Sequence, residues 1–301
     1  MFSLPENFLQ PPFLQPGDRL TVVSPSGSLR ELADLQKGVD IWRSWGYKVT
    51  FSPGYENRFG YLAGMDQQRR EDLLKAWLDP ECKGILCSRG GYGSARLLED
   101  WQWPAIDQPK WVLGFSDVTG ILWSLLKSGI ISLHGPVLTT LSDEPDWALE
   151  RLKTYLQGSQ LPSLTGKSWQ GGKVQGRLVA GNLTVATHFL GTEWQPDFEN
   201  VILAIEDVTE APYRIDRMVT QWRASGNLSQ VAGIALGRFS ECEAPIGFPS
   251  WTVEEVLGDR LGDLGIPVVA DLPFGHGGVN AILPVGGRVE LDGDAGILSF
   301  L

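Results

Sequence analysis

Apolar residues along this chain come in short bursts, each closed by a polar or glycine-rich break and followed by a stretch with helical spacing. Arg19–Ser24 (RLTVVS), Lys48–Phe51, Gly84–Cys87 (GILC), Trp111–Gly114 and Ile130–His134 are too short for helices and rich in β-forming residues. Between them lie helical periods. Leu32, Leu35, Val39 and Trp42 share one face that ends at Gly46; Asp66 opens a more polar helix to Trp77; a further helix starts near Ala95. After Trp111–Gly114, the residues Val118, Ile121, Leu122, Leu125 and Leu126 again mark one helical face. Strands alternating with helices at this spacing predict βαβ units, hence a mainly parallel sheet covered on both faces. In such sheets ligands gather beyond the carboxyl ends of the strands.

The rhythm changes after residue 156. Gln157–Gly172 contains Gly158, Ser159, Pro162, Ser163, Gly166, Gly171 and Gly172, and reads as a linker over 157–172. Beyond it the pattern predicts strands at Lys173–Val179, Val201–Ile205 (VILAI), Val231–Leu236 and Val268–Ala270. Helices are expected at Asn182–Leu190, on the face of Ile215, Met218, Val219 and Trp222, and around Val253–Leu261. The tail after Ala281 reads as short strands split by Gly286-Gly287 and by a hairpin-like Asp292-Gly293-Asp294. The expected organisation is therefore an N-terminal α/β domain over 1–156, with an irregular arm at 1–17, and a strand-rich C-terminal α/β domain over 173–301.

Composition narrows the function classes. No apolar run approaches the roughly 20 residues needed to cross a bilayer, and the first twenty residues hold four prolines and no apolar signal-peptide core. A formal charge of −11 argues against nucleic acid or an anionic membrane as partner. Cys82, Cys87 and Cys242 sit at no metal-ligand spacing and read as free thiols of a reducing, cytoplasmic compartment. Neither a metal nor a cofactor is expected.

Three features fall on the ligand edge of the predicted sheet: the loop after Ser24, the loop Ser88-Arg89-Gly90-Gly91-Tyr92-Gly93, and Ser116. The last sits at the corner of Gly114-Phe115-Ser116-Asp117, where a strand turns at once into a helix. That corner suits a serine nucleophile. It equally suits an N-cap, which is the commoner use of a serine at a helix start. The glycine loop has Arg96 where a dinucleotide fingerprint needs its third glycine, and lacks the acidic residue about 20 residues on.

A serine nucleophile needs a base, and the chain has three histidines. His188 lies within a predicted helix. His134 ends a strand on the ligand edge, and His276 stands in the irregular Phe274-Gly275-His276-Gly277-Gly278. The residues alone leave these last two level. Glu206-Asp207, after VILAI, fits the orienting acid of a triad, and because side chains alternate along a strand only one of the two can face the site. Both could instead be solvated or pair with Arg214 and Arg217.

Four motifs in order, Ser88-Arg89-Gly90-Gly91-Tyr92-Gly93 with Arg96-Leu97-Leu98, Gly114-Phe115-Ser116-Asp117, Leu203-Ala204-Ile205-Glu206-Asp207 with Pro212-Tyr213-Arg214-Ile215-Asp216-Arg217-Met218, and Phe274-Gly275-His276, closely resemble the LD-carboxypeptidases. These are serine peptidases that include muramoyltetrapeptide carboxypeptidases and microcin C self-immunity proteins. The resemblance covers the chain from about residue 18 to its end. It implies an N-terminal α/β domain, a β-rich C-terminal domain and an active site in the cleft between them. It also implies a Ser-His-Glu triad of Ser116, His276 and Glu206, with oxyanion-hole amides from Asp117 and Gly91, and a homodimer that needs no metal. The implied substrate is a murein stem peptide that loses a C-terminal D-alanine, or alternatively a peptidyl- or aminoacyl-nucleotide, which the aromatic Tyr55–Tyr61 stretch could stack against. Arg89 is a candidate for holding the substrate carboxylate and equally a candidate brace for its loop.

Overall fold

The five apolar bursts of the first half become parallel strands. In the structure, a computed structural model that describes all residues except Asp100, Ile246 and Phe248, β1 (Arg19–Val23), β2 (Lys48–Phe51), β3 (Cys82–Cys87), β4 (Trp111–Gly114) and β5 (Ser132–His134) alternate with helices. The helices are α1 (Leu32–Ser44), α2 (Asp66–Leu78), α3 (Ser94–Leu97) and α4 (Thr119–Lys127), followed by α5 (Leu138–Leu141) and α6 (Asp146–Leu156). The strands pair in parallel in the spatial order β5-β4-β3-β1-β2. That order reverses at β1, so the crevice at the carboxyl ends of β1 and β3 is the topological switch point of a doubly wound sheet. Burial explains the composition: β3 and β4 are covered on both faces and read as nearly continuous apolar runs. Helix α4 is buried from Thr119 through Leu126 and correspondingly lacks a polar face until Lys127. Trp42, Trp77 and Trp123 fill this core.

The chain divides into two units, Ser3–Gln160 with Ala281–Gly286, and Met1–Phe2 with Leu161–Asn280 and Gly287–Leu301. The expectation that everything past residue 173 belongs to one domain needs one amendment. The strand Leu283–Val285 pairs antiparallel with β5, Leu283 facing His134 and Val285 facing Ser132. Without it β5 would be a bare apolar edge; with it the edge is closed by two fully buried side chains, Leu283 and Val285. Helix α6 was not legible because its buried face carries Arg151 among Ala148, Leu152 and Leu156, which interrupts the apolar period.

The second unit is built on one sheet of eight strands. Its elements are β6 (Leu164–Thr165), β7 (Lys167–Gln170), β8 (Lys173–Asn182), α7 (Leu183–Phe189), β9 (Val201–Val208), α8 (Pro212–Ala224), β10 (Gly233–Ser240), α9 (Val253–Leu261) and β11 (Val268–Ala270). Counting Leu283–Val285 as β12, the chain ends with β13 (Arg288–Asp292) and β14 (Ile297–Phe300). The order is β6-β14-β13-β8-β9-β10-β11-β7. Strands β8 to β11 are parallel, and the strands outside them are antiparallel. The stretch 157–172 is thus more than a linker, since β6 and β7 are the two edges of this sheet. The two strands are short and half solvated, carry Thr165, Lys167, Ser168 and Gln170 among few apolar residues, and give no alternating apolar signal. Phe198, Trp222 and Phe274 are the largest buried side chains here. Among the described residues no helix is long and apolar enough to cross a membrane.

Candidate active site

Ser116 stands where β4 stops. Phe115 is extended (φ −150°), Ser116 turns into the left-handed region (φ 61°), and Ser116–Val118 make a single 3-10 turn that leads into α4. A non-glycine residue at positive φ is held there against its preference, at a cost of roughly 1–3 kcal/mol, and such strain clusters where a side chain must be aimed. Neither this turn nor α4 is capped by a side chain, so the N-cap reading of Ser116 does not hold.

The glycine loop closes directly over this corner. A Cβ added to Gly90 would lie 2.8 Å from Ser116 Cβ and 3.0 Å from its Oγ, so only glycine permits the approach. The loop is pinned on its far side: Gly27 N–H donates to Gly90 O at 3.0 Å, and buried Arg69 donates to Gly93 O at 2.9 Å and to Pro25 O. Asp66 bridges Arg69 and Arg96 at 2.5 and 2.7 Å, and the Arg96 bond above all holds its carboxyl down to about 2. Asp117, expected only as an amide donor, has a second task. Its buried carboxylate accepts the Ser94 N–H at 2.8 Å and so fixes the start of α3 against the elbow. Burial pushes the Asp117 carboxyl up, against the Ser94 N–H bond that favours its charge. The neighbouring Cys87 thiol is pushed up to about 12 by burial and by Asp117, which removes it as a nucleophile. Arg89 donates from Nε to Glu31 at 3.1 Å and lays its guanidinium beside Gly27 and Gly91; these are the contacts of a brace. Tyr61 and Tyr92 are both exposed, with ring centroids 5.8 Å apart.

In the second unit the VILAI strand delivers Glu206 and Asp207 to opposite duties. Glu206 is completely buried, and its Oε2 accepts from His276 Nδ1 at 2.6 Å and from the His276 backbone N–H at 3.0 Å. Asp207 turns the other way and accepts from Thr184 N–H and Oγ1, both at 2.8 Å, at the start of α7. Asn182, the N-cap of that helix, donates from Nδ2 to Glu206 at 3.3 Å and to Asp207 at 2.9 Å. The loop around His276 depends on Gly275 (φ 103°), where a Cβ would fall 2.6 Å from Glu206 Cβ. Its path is held by Asn280 Oδ1, which accepts the Gly275 N–H at 2.9 Å, and by Ser240 Oγ, which donates to His276 O at 2.5 Å. Burial disfavours a charged imidazole, but the hydrogen bond and charge of Glu206, with Asp207 behind it, outweigh burial and raise His276 above the ordinary 6.5. A carboxylate on Nδ1 selects the tautomer that leaves Nε2 free to accept a proton.

The other histidines are placed differently. His134 is wholly buried in β5, edge-on to Phe115 with centroids 6.0 Å apart, and His188 is exposed on α7. The suggested pairing of Glu206 or Asp207 with Arg214 or Arg217 does not occur: Arg214 pairs with Glu210 at 3.5 Å, and Arg217 lies over Tyr213. Asn182, Ser240, Asn280 and the Asp117 side chain are the supporting residues that sequence reasoning missed. The one available signal was a polar residue closing an apolar run, as in Leu178-Val179-Ala180-Gly181-Asn182.

Two family models match the chain, the LD-carboxypeptidase N-terminal domain over residues 20–135 and the LD-carboxypeptidase C-terminal domain over residues 175–291. A protein of Synechocystis sp., slr1534, named only provisionally as a carboxypeptidase, is 90% identical over 301 residues, all of both chains. The crystal structure of muramoyltetrapeptide carboxypeptidase from Oxalobacter formigenes is similar with a TM-score of 0.83 and 32% identity, over 93% of this chain and 97% of that one. The microcin C7 self-immunity protein MccF matches with a TM-score of 0.88 over 97% of this chain and 98% of its own, at 24% identity, a likeness of fold alone.

Proposed function

The chain belongs to the LD-carboxypeptidase family, and from that premise we propose that it releases the C-terminal D-alanine of murein tetrapeptide by cutting the bond between an L-configured centre and the D-residue. At the coarser level it is a serine-type carboxypeptidase, a hydrolase. The observation that carries the proposal is the buried Glu206 fixed on His276 Nδ1 at 2.6 Å, the acid–imidazole half of a serine-hydrolase triad. The reading extends to a homodimer working in the cytoplasm, where murein fragments are recycled.

In the proposed mechanism Ser116 is the nucleophile, His276 its base and Glu206 the orienting acid. His276 Nε2 takes the Ser116 Oγ proton as the oxygen attacks the scissile carbonyl. The tetrahedral oxyanion is received by the Asp117 N–H, at the start of the turn into α4, and by the Gly91 N–H. Each such donor is worth about 3 kcal/mol in the transition state. His276 then gives its proton to the departing amine, and water hydrolyses the acyl-enzyme with the same imidazole as base. The strain at Ser116 and the contact with Gly90 support the nucleophile assignment, because they aim and immobilise one hydroxyl at the carboxyl end of β4, against the glycine loop that follows β3.

The test is D-alanine release from purified murein tetrapeptide by wild type and Ser116→Ala. Loss of about 10³-fold or more in a folded variant is expected, and near-normal turnover would refute the nucleophile. A second reading, hydrolysis of a peptidyl-nucleotide, is favoured by one observation: the exposed rings of Tyr61 and Tyr92 form an aromatic ledge beside the glycine loop, of the kind that stacks on a base. Turnover of a peptidyl-nucleotide beside the tetrapeptide separates the two.

A further inference from the structure

We propose that Arg238 is the residue that recognises the free carboxylate of the substrate's terminal residue; the inference rests on the carboxypeptidase reading above. The chemistry narrows the position of any such residue. In acyl transfer to a serine, the imidazole gives its proton to the departing amine. When the departing group is one amino acid, its carboxylate lies a single carbon beyond that nitrogen. The recognising cation therefore belongs on the side of the imidazole.

Arg238 meets that requirement. It lies on β10, which grips the His276 loop at two points: the Arg238 N–H donates to Phe274 O at 3.0 Å, and Ser240 Oγ donates to His276 O at 2.5 Å. Ser240 lies against Gly277 as Arg238 lies against Gly278, so both side chains face this loop. The guanidinium rests against Gly278, two residues after the histidine. A Cβ there would lie 2.7 Å from Arg238 Cζ and 2.9 Å from Nε, so Gly278 leaves the space that the guanidinium occupies.

The charge of Arg238 is also uncommitted. Its side chain is exposed, and among the described residues no carboxylate or carbonyl accepts from its guanidinium. Other arginines of this strongly acidic chain are engaged: Arg89 with Glu31, Arg96 with Asp66, Arg214 with Glu210, Arg223 with Asp263 and Arg260 with Asp216. A planar guanidinium with open donors matches a carboxylate in two parallel hydrogen bonds. Arg89, the cation singled out by its place in the glycine loop, already spends its Nε on Glu31.

The experiment compares kcat/KM on the tetrapeptide with a free terminal carboxylate and on the same peptide ending in D-alaninamide. Wild type should prefer the acid by about 10- to 100-fold, the range of a charged hydrogen-bonded pair. Arg238→Gln should collapse that ratio toward one through loss on the acid, Arg238→Lys should restore part of it, and Arg89→Gln should keep it. A preference retained in Arg238→Gln overturns the assignment. So does an equal loss on both substrates, which would make Arg238 a support of the His276 loop, and so does a wild type indifferent to the terminal group. A wild type that cleaves neither peptide overturns the carboxypeptidase reading together with this one.

Discussion

Glu206 holds His276 at two points with one oxygen: Oε2 accepts from the ring Nδ1 at 2.6 Å and from the backbone N–H of the same residue at 3.0 Å. The first bond sets the tautomer and rotation of the ring; the second sets the path of the loop that carries it. Gly275 is the condition for both, because any side chain there would occupy the space of the Glu206 side chain. A buried carboxylate used this way imposes geometry and electrostatics together.

The electrostatics predict a pH profile. Burial alone would lower the His276 pKa, but the Glu206 bond and charge raise it above 6.5. A base must be neutral to act, so the acid limb of kcat/KM should have its midpoint above pH 6.5. Glu206→Gln removes the raising influence and leaves burial, so the limb should move to lower pH while kcat falls about 10³- to 10⁴-fold. The stability effect has a definite sign. A folded-state pKa raised above the unfolded value stabilises fully below the unfolded pKa and ceases to do so as pH rises through the folded one. The destabilisation by Glu206→Gln should therefore be larger at about pH 5.5 than at about pH 8.5 in denaturant titrations. A wild-type limb centred below pH 6.5 would contradict the assignment.

The two candidate histidines separate by what each loss does. His134 is fully buried in β5 and packs edge-on to Phe115. His134→Ala leaves a cavity and should cost about 2–4 kcal/mol of stability, while activity per folded molecule stays within about tenfold. His276→Ala should do the reverse, with a small stability change and a loss of about 10³-fold or more in kcat. Activity normalised to folded protein checks both, and the opposite ranking would reassign the base.

Much of this arrangement was legible before the structure, for identifiable reasons. Parallel strands buried on both faces leave apolar bursts, so β1, β3 and β4 were visible, and with them the corner at Ser116. The acid was visible as a pair, because a strand places Glu206 and Asp207 on opposite faces without saying which faces the histidine. What decided between them was tertiary: Thr184 and Asn182 at the start of α7 claim Asp207 and leave Glu206 for His276. The contact between Glu206 and His276 was illegible in periodicity, since a loop's reach is set by Gly275, Asn280 and Ser240, joined only by the fold. The edge strands β6 and β7 escaped because they are only 2 and 4 residues long and are framed by Gly166, Gly171 and Gly172, the glycines that mark a linker.

Asn182 is the polar residue on which both acids depend. Its Nδ2 reaches Glu206 and Asp207, and its Oδ1 accepts from Val185 N–H at the start of α7. Asn182→Ala withdraws a donor from two buried carboxylates and a helix cap at once, and should destabilise by about 2–4 kcal/mol. Asn182→Asp keeps the cap but sets a third acid against the other two. It should be worse than alanine at neutral pH and improve as the pH falls, since a shared proton relieves like charges. Urea unfolding at neutral and at acidic pH distinguishes them, and an Asn182→Asp variant as stable as wild type at neutral pH would refute the bridge.

One methyl group placed at two different glycines should have opposite results. Gly258, in the exposed part of α9, has nothing within 4 Å of an added Cβ, so Gly258→Ala should stabilise by about 0.5–1 kcal/mol through the lower entropy of the unfolded chain, with kcat unchanged. At Gly90 the added Cβ would meet Ser116 at 2.8 Å for Cβ and 3.0 Å for Oγ, and Ser116 is already held at positive φ with no long side chain to swing aside. Relief must come from moving the hydroxyl or the glycine loop, both of which the proposed chemistry needs fixed. A misplacement of about 1 Å can cost 10²-fold in rate, so Gly90→Ala should lose about that much in kcat while its melting temperature moves little. Thermal unfolding beside single-turnover kinetics on the tetrapeptide reads both quantities. A Gly90→Ala enzyme with wild-type kcat would mean that the loop does not position Ser116.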